Sequence, residues 1–98
     1  NLADTQEIKV VDYQPAYMLD IAEKAIIGEN YKFAFATYRN LIDQDGQIDE
    51  VIKRVEEISE ENPEKVDVLL FLGELYTLKG KRPDALAAFK KAQKNISL

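Results

Sequence analysis

The segment Asp43-Gln44-Asp45-Gly46-Gln47-Ile48-Asp49 sets three carboxylates around a glycine, the arrangement found in the middle of a helix-loop-helix calcium loop. Aligned on Gly46 and Ile48, such a loop needs an oxygen ligand at position 41 and a bidentate carboxylate at position 52. The chain has Leu41 and Ile52 there, so two necessary oxygens are missing. A polar turn between two helices, with acids in the first turn of the second, accounts for the same residues. Carboxylate pairs for general acid–base work are available at Glu56-Glu57 and Glu60-Glu61. A run of acids on an outer helix face reads more simply as a solvated face. Zero cysteines and zero histidines leave no thiolate nucleophile, no imidazole base and no Cys/His metal site, and Ser59 and Ser97 have no usual base. The expectation is a chain that is not an enzyme and needs no cofactor or metal.

Those residues must be carried by some fold, and the composition bounds it. Ninety-eight residues, 46% hydrophobic and 32% charged, are enough for one modest helical domain. A net charge of −5 argues against nucleic acid, whose phosphates are bound through Lys and Arg. The longest strongly apolar run, Val68 to Leu72, is far short of the roughly 20 residues that span a bilayer, so no membrane insertion is expected. The chain opens at Asn1 without a basic-then-apolar leader, which reads as a piece of a longer protein, with the cytoplasm as the expected location. Asn95-Ile96-Ser97 matches a glycosylation sequon, and in that setting the match reads as chance.

Residues 1–13 show no sustained period and read as a tail or linker; the domain is placed over 14–98. Pro15 suits a first helical turn, and Gly28 is expected to take the left-handed conformation that ends a helix over 15–27. Asn30 suits the cap of a second helix reaching about Gln44, closed by Gly46. A third helix runs to Asn62-Pro63, with Ile48, Val51, Ile52, Val55 and Ile58 as its buried stripe and Asp49–Lys53 and Glu50–Arg54 as pairs four apart. The fourth, about 65–79, is apolar on nearly every side and so should be packed from more than one direction. Gly80 stops it, and a fifth, about 83–95, is expected to turn Ala85, Leu86, Ala88, Phe89 and Ala92 inward.

Set against itself at an offset of 34 residues, the chain matches in register: Gly46 falls on Gly80, Leu41 on Leu75, Val51 on Ala85, Ile52 on Leu86 and Val55 on Phe89. The second copy holds Leu69, Leu72, Gly73 and Tyr76, then Gly80, then Ala85, Phe89 and Ala92. In this it resembles the tetratricopeptide repeat family, with Leu69 in place of the family's aromatic. The first copy is degenerate, with Arg39 where a small residue belongs. The resemblance implies an all-α fold: antiparallel helix-turn-helix repeats stacked as a short right-handed solenoid of about five helices. Units then fall at about 32–65 and 66–98, after a half unit at 14–29. Another phase pairs 15–27 with 30–44 around Met18, Ala22, Ala34 and Tyr38. In either phase Gly73, Ala85 and Ala92 allow close backbone approach, so Gly73→Leu or Phe89→Ala should cost several kcal/mol.

Proteins of that family are scaffolds whose first helices line a concave groove for a partner's peptide or helix. The resemblance places the groove at Phe33, Ala36, Asn40 and Asp43 on one helix and Leu70, Glu74 and Thr77 on the next. With Asp43 and Glu74 among these, a basic or apolar segment of a protein partner is favoured over a carboxylate. The last twenty residues, 79–98, carry six cations against Asp84, a net of +5, which leaves −10 for residues 1–78. Docking of that basic end onto another copy would make the chain a self-associating structural module or spacer, a possible homo-oligomer.

Overall fold

Proline, glycine and asparagine punctuate this chain at intervals of about sixteen residues, at Pro15, Asn30, Gly46, Pro63 and Gly80, and helices of 13 to 15 residues lie between. The computed structural model describes residues 14–96, which form α1 (Pro15–Ile27), α2 (Tyr31–Asp45), α3 (Ile48–Glu61), α4 (Val66–Lys79) and α5 (Arg82–Asn95). Among the described residues the protein is all-helical, in agreement with the class read from the sequence. The expected tail at 1–13 lies outside them. No described helix is long and apolar enough to cross a membrane. The helices sort into two compact units that divide between Asp45 and Gly46, each with its own interior.

In the first unit α1 packs on α2 across a three-residue connection. Met18 and Ala22 of α1, and Ala34, Phe35, Tyr38 and Leu41 of α2, are buried, so the four positions Met18, Ala22, Ala34 and Tyr38 all lie inside. Tyr17, which the 34-residue offset sets on the buried Val51, is half exposed. The connection corrects one expectation. Gly28 has an ordinary φ of −82°, and Glu29 takes the left-handed conformation at φ 59°. The Glu29 N–H donates to the Ile26 carbonyl and the Asn30 N–H to the Ala25 carbonyl, the paired bonds of a Schellman ending. The left-handed position is fixed by these two bonds, and here it falls on the second residue beyond α1, a glutamate. Asn30 then caps α2 as expected, its Oδ1 accepting from the Phe33 N–H at 3.3 Å.

In the second unit α4 packs on both α3 and α5, which explains why it is apolar nearly all round. Val51, Ile52, Val55 and Ile58 of α3 meet the interior together with Val68, Leu69, Phe71, Leu72 and Leu75 of α4. Gly80 ends α4 in a Schellman turn at φ 83°, with the Lys81 N–H donating to the Tyr76 carbonyl. From α5 only Ala85, Ala88 and Ala92 are buried. Leu86 is 54% exposed and Phe89 38%, contrary to the expectation that both turn inward. Alanines on the inner side draw α5 close to α4, and the arc they occupy leaves Leu86 about 100° round the helix from Ala85. Asp49, expected to pair with Lys53 one turn on, instead binds Lys79 of α4 at 2.8 Å. Arg54 pairs with Glu57 at 3.3 Å.

Candidate interaction surfaces

Each unit carries a helix face that the sequence singles out. On α2, Phe33, Ala36, Asn40 and Asp43 recur at three, four and three residues, which stacks them along one side. All four are exposed, Phe33 at 51%, while the opposite side of the helix holds Phe35, Tyr38 and Leu41 inside. Both backbone groups of Phe33 are engaged: its N–H by the Asn30 cap, its carbonyl by the Thr37 hydroxyl at 2.9 Å. The aromatic side chain is thereby presented from a fixed first turn.

On α4 the corresponding face holds Leu70, Glu74 and Thr77. Leu70 is 43% exposed, Thr77 is exposed and Glu74 half-buried. The Thr77 hydroxyl donates to the Gly73 carbonyl at 2.8 Å, so this residue offers its methyl group outward more than its donor. The two faces lie on different units.

The residues of the repeat signature sit mostly inside the second unit. Leu69, Leu72, Gly73, Ala85 and Ala92 are buried, and Gly80 has the left-handed turn that the pattern requires. Gly73 is a place of close approach: a methyl group there would overlap the Phe89 ring. Tyr76 is half-buried, and its hydroxyl donates to the Glu56 carboxylate of α3. Burial, and then the hydrogen bond and charge of Glu56, push the Tyr76 phenol well above the usual tyrosine value. A phenol held neutral in this way is a packing and anchoring group, not a base.

The acidic segment 43–49 does not close into a loop. Asp43 and Asp45 belong to α2, Asp49 to the first turn of α3, and the Asp49 carboxylate is taken by Lys79. Among the described residues no three carboxylates converge on a site that could hold a metal ion. Ser59 is buried in the second unit.

One feature of the surface escapes a reading by residue type. Between α4 and α5 a cleft of about 310 Å³ opens, lined by Thr77, Gly80, Arg82, Ala85, Leu86 and Phe89. It exists because Leu86 and Phe89, large residues at helical spacing, stand beside the inward arc and not on it. Type alone marks them as core. The available clue is the row of small residues, Ala85, Ala88 and Ala92, which is the tighter inner seam. A smaller cleft of about 210 Å³ elsewhere in the second unit has Tyr76, Asp84 and Lys91 among its walls. No family model, curated protein or solved structure matches this chain.

Proposed function

We propose that this chain is a non-catalytic protein–protein interaction module which, as its likeness to tetratricopeptide repeats implies, presents a concave helical groove to a peptide or helix of a partner. The observation that carries this reading is the outward placement of large apolar side chains, Phe33 and Leu70, on helix faces that also hold Asp43 and Glu74. Such faces suit a ligand that is apolar and basic. The solenoid stacking of the helices belongs to the same proposal.

The test compares the wild-type chain with an Asp43→Lys, Glu74→Lys variant of unchanged helicity by circular dichroism, each used to capture partners from the source cell's lysate. Retention of one partner by the wild type and its loss from the variant supports the module. Equal capture by both, or capture of the domain alone, defeats it. A second reading has its own support in the charge separation of +5 over residues 79–98 against −10 over the rest: the chain would then be a self-associating spacer.

A further inference from the structure

We infer that the cleft between α4 and α5 is a second docking site, built for the apolar edge of an acidic amphipathic helix supplied by a partner. It goes beyond the reading above, because its ligand carries the opposite charge and it shares only Thr77 with the face described for α4.

Three observations lead to it. First, the exposed residues along one side of α5 and its C-cap are ordered, three of them apolar. Arg82, Leu86, Phe89, Gln93 and Ile96 recur at four, three, four and three residues, and Leu86, Phe89 and Ile96 are 54%, 38% and 48% exposed. That alternation keeps one seam along a helix and is the spacing at which a second helix lies alongside, so the ligand is a helix and not an extended strand. The cleft itself is near the roughly 300 Å³ at which small ligand pockets begin, room for a leucine or aromatic side chain between Leu86 and Phe89.

Second, the repeat shows the seam to be a position that is normally covered. At the 34-residue offset Leu86 and Phe89 correspond to Ile52 and Val55 of α3. Those two are buried, whereas on α5 the same positions stand open. Helical repeats bury such positions against a neighbouring helix.

Third, the charges around the cleft are positive on two sides. Lys81 and Arg82 stand at the turn between α4 and α5, where Lys79 is already paired with Asp49, and Lys90 and Lys94 follow the outer flank of the seam on α5. Asp84, the one acid of this stretch, stands at the other cleft beside Tyr76. Glu74 is the carboxylate on the α4 flank. A ligand helix therefore carries its carboxylates toward the turn and the α5 flank, with leucine or aromatic residues along its inner edge. A second copy of the chain fits less well, since two such seams face to face bring lysines against lysines.

The test uses the whole chain and three synthetic helical peptides. One has leucines at the first and fourth positions of each heptad and glutamates on its flanks, one has lysines in place of those glutamates, and one is a scramble of the first. Fluorescence anisotropy of labelled peptide measures binding, and light scattering of the protein alone measures its mass. Saturable binding of the glutamate peptide only is expected. Leu86→Glu should weaken it by about tenfold or more, and Lys90→Glu should weaken it less and flatten its salt dependence. Leu86 is more than half exposed, so its substitution leaves the fold in place, as circular dichroism will show; Asp43→Lys should leave peptide binding unchanged. Equal binding of the lysine or scrambled peptide, unaltered binding to Leu86→Glu, or absence of saturable binding overturns the inference. A dimer of the free protein that Leu86→Glu dissolves gives the seam to a second copy and overturns it as well.

Discussion

Gly73 and Phe89 form a pair whose energetics can be dissected. A glycine inside a helix is worth about 1 kcal/mol less than alanine, so Gly73→Ala taken alone should stabilise α4. The Phe89 ring occupies the space its methyl would need, and displacing that ring should cost about 1–3 kcal/mol. The expected net result is destabilisation by about 1 kcal/mol. With Phe89→Ala in the background the obstruction is gone, and Gly73→Ala should turn stabilising; urea unfolding of the four proteins in the cycle reads the change of sign. Phe89→Ala itself should cost about 1–2 kcal/mol and not the larger loss expected from the sequence, because a ring 38% exposed leaves no sealed cavity behind. The sequence therefore marked Gly73 as a place of close approach, but neither that the Phe89 ring is what approaches it nor what the contact is worth. Exposure depends on what else packs nearby.

Tyr76 supplies a prediction in pH. Its folded phenol titrates above the unfolded value near 10, so the contribution of this group is fully present below pH 10. As pH rises through that value the unfolded chain loses its proton first, and stability falls from there toward the folded value. Tyr76→Phe should remove that part of the alkaline loss, seen as a shallower decline in thermal midpoint above pH 10 than in the wild type. An equal decline in both proteins would show that folding does not raise the Tyr76 phenol.

At the level of elements, α1 and α4 end in the same Schellman geometry with different residues in the left-handed position. Gly80 fits it at no steric cost, whereas Glu29 at φ 59° bears a side chain where roughly 1 kcal/mol of strain is usual. Glu29→Gly should therefore raise stability by about 0.5–1 kcal/mol and Gly80→Ala should lower it by about 1 kcal/mol, opposite shifts of thermal midpoint from equivalent positions. Loss of the Asn30 cap in Asn30→Ala should cost about 0.5–2 kcal/mol. Helix boundaries were legible because every break carries Pro15, Asn30, Gly46, Pro63 or Gly80. The αL assignment at Gly28 failed by one place because the motif is set by where the last helical bonds close, at Ile26 and Ala25, and not by where a glycine stands. The outward faces of α2 and α4 were legible for a similar reason: Phe33, Asn40, Asp43 and Leu70, Thr77 lie about half a helical turn round from the buried stripes. The open seam of α5 was not, since leucine and phenylalanine beside alanines satisfy the same periodicity whichever of them faces the interior.

For the whole molecule the informative quantity is the response of association to salt, because two different contacts between copies respond in opposite directions. A head-to-tail contact joins the region of net +5 to the region of net −10 and is held by exposed charges, whose attraction is screened over about 10 Å at 0.1 M salt. Such a contact weakens as salt is added. Pairing of two α5 seams is driven by Leu86, Phe89 and Ile96 and opposed by Lys90 and Lys94 meeting their counterparts, so screening strengthens it. Neither contact combines an apolar anchor with matched charge, and a ligand helix with acidic flanks combines both. Light scattering should accordingly report a monomer of 11.2 kDa from ~0.1 to ~1 M salt. Growth in mass on lowering the salt would favour the self-associating spacer over the interaction module. Growth on raising it, abolished by Leu86→Glu, would place a second copy on the seam where a partner's helix is expected.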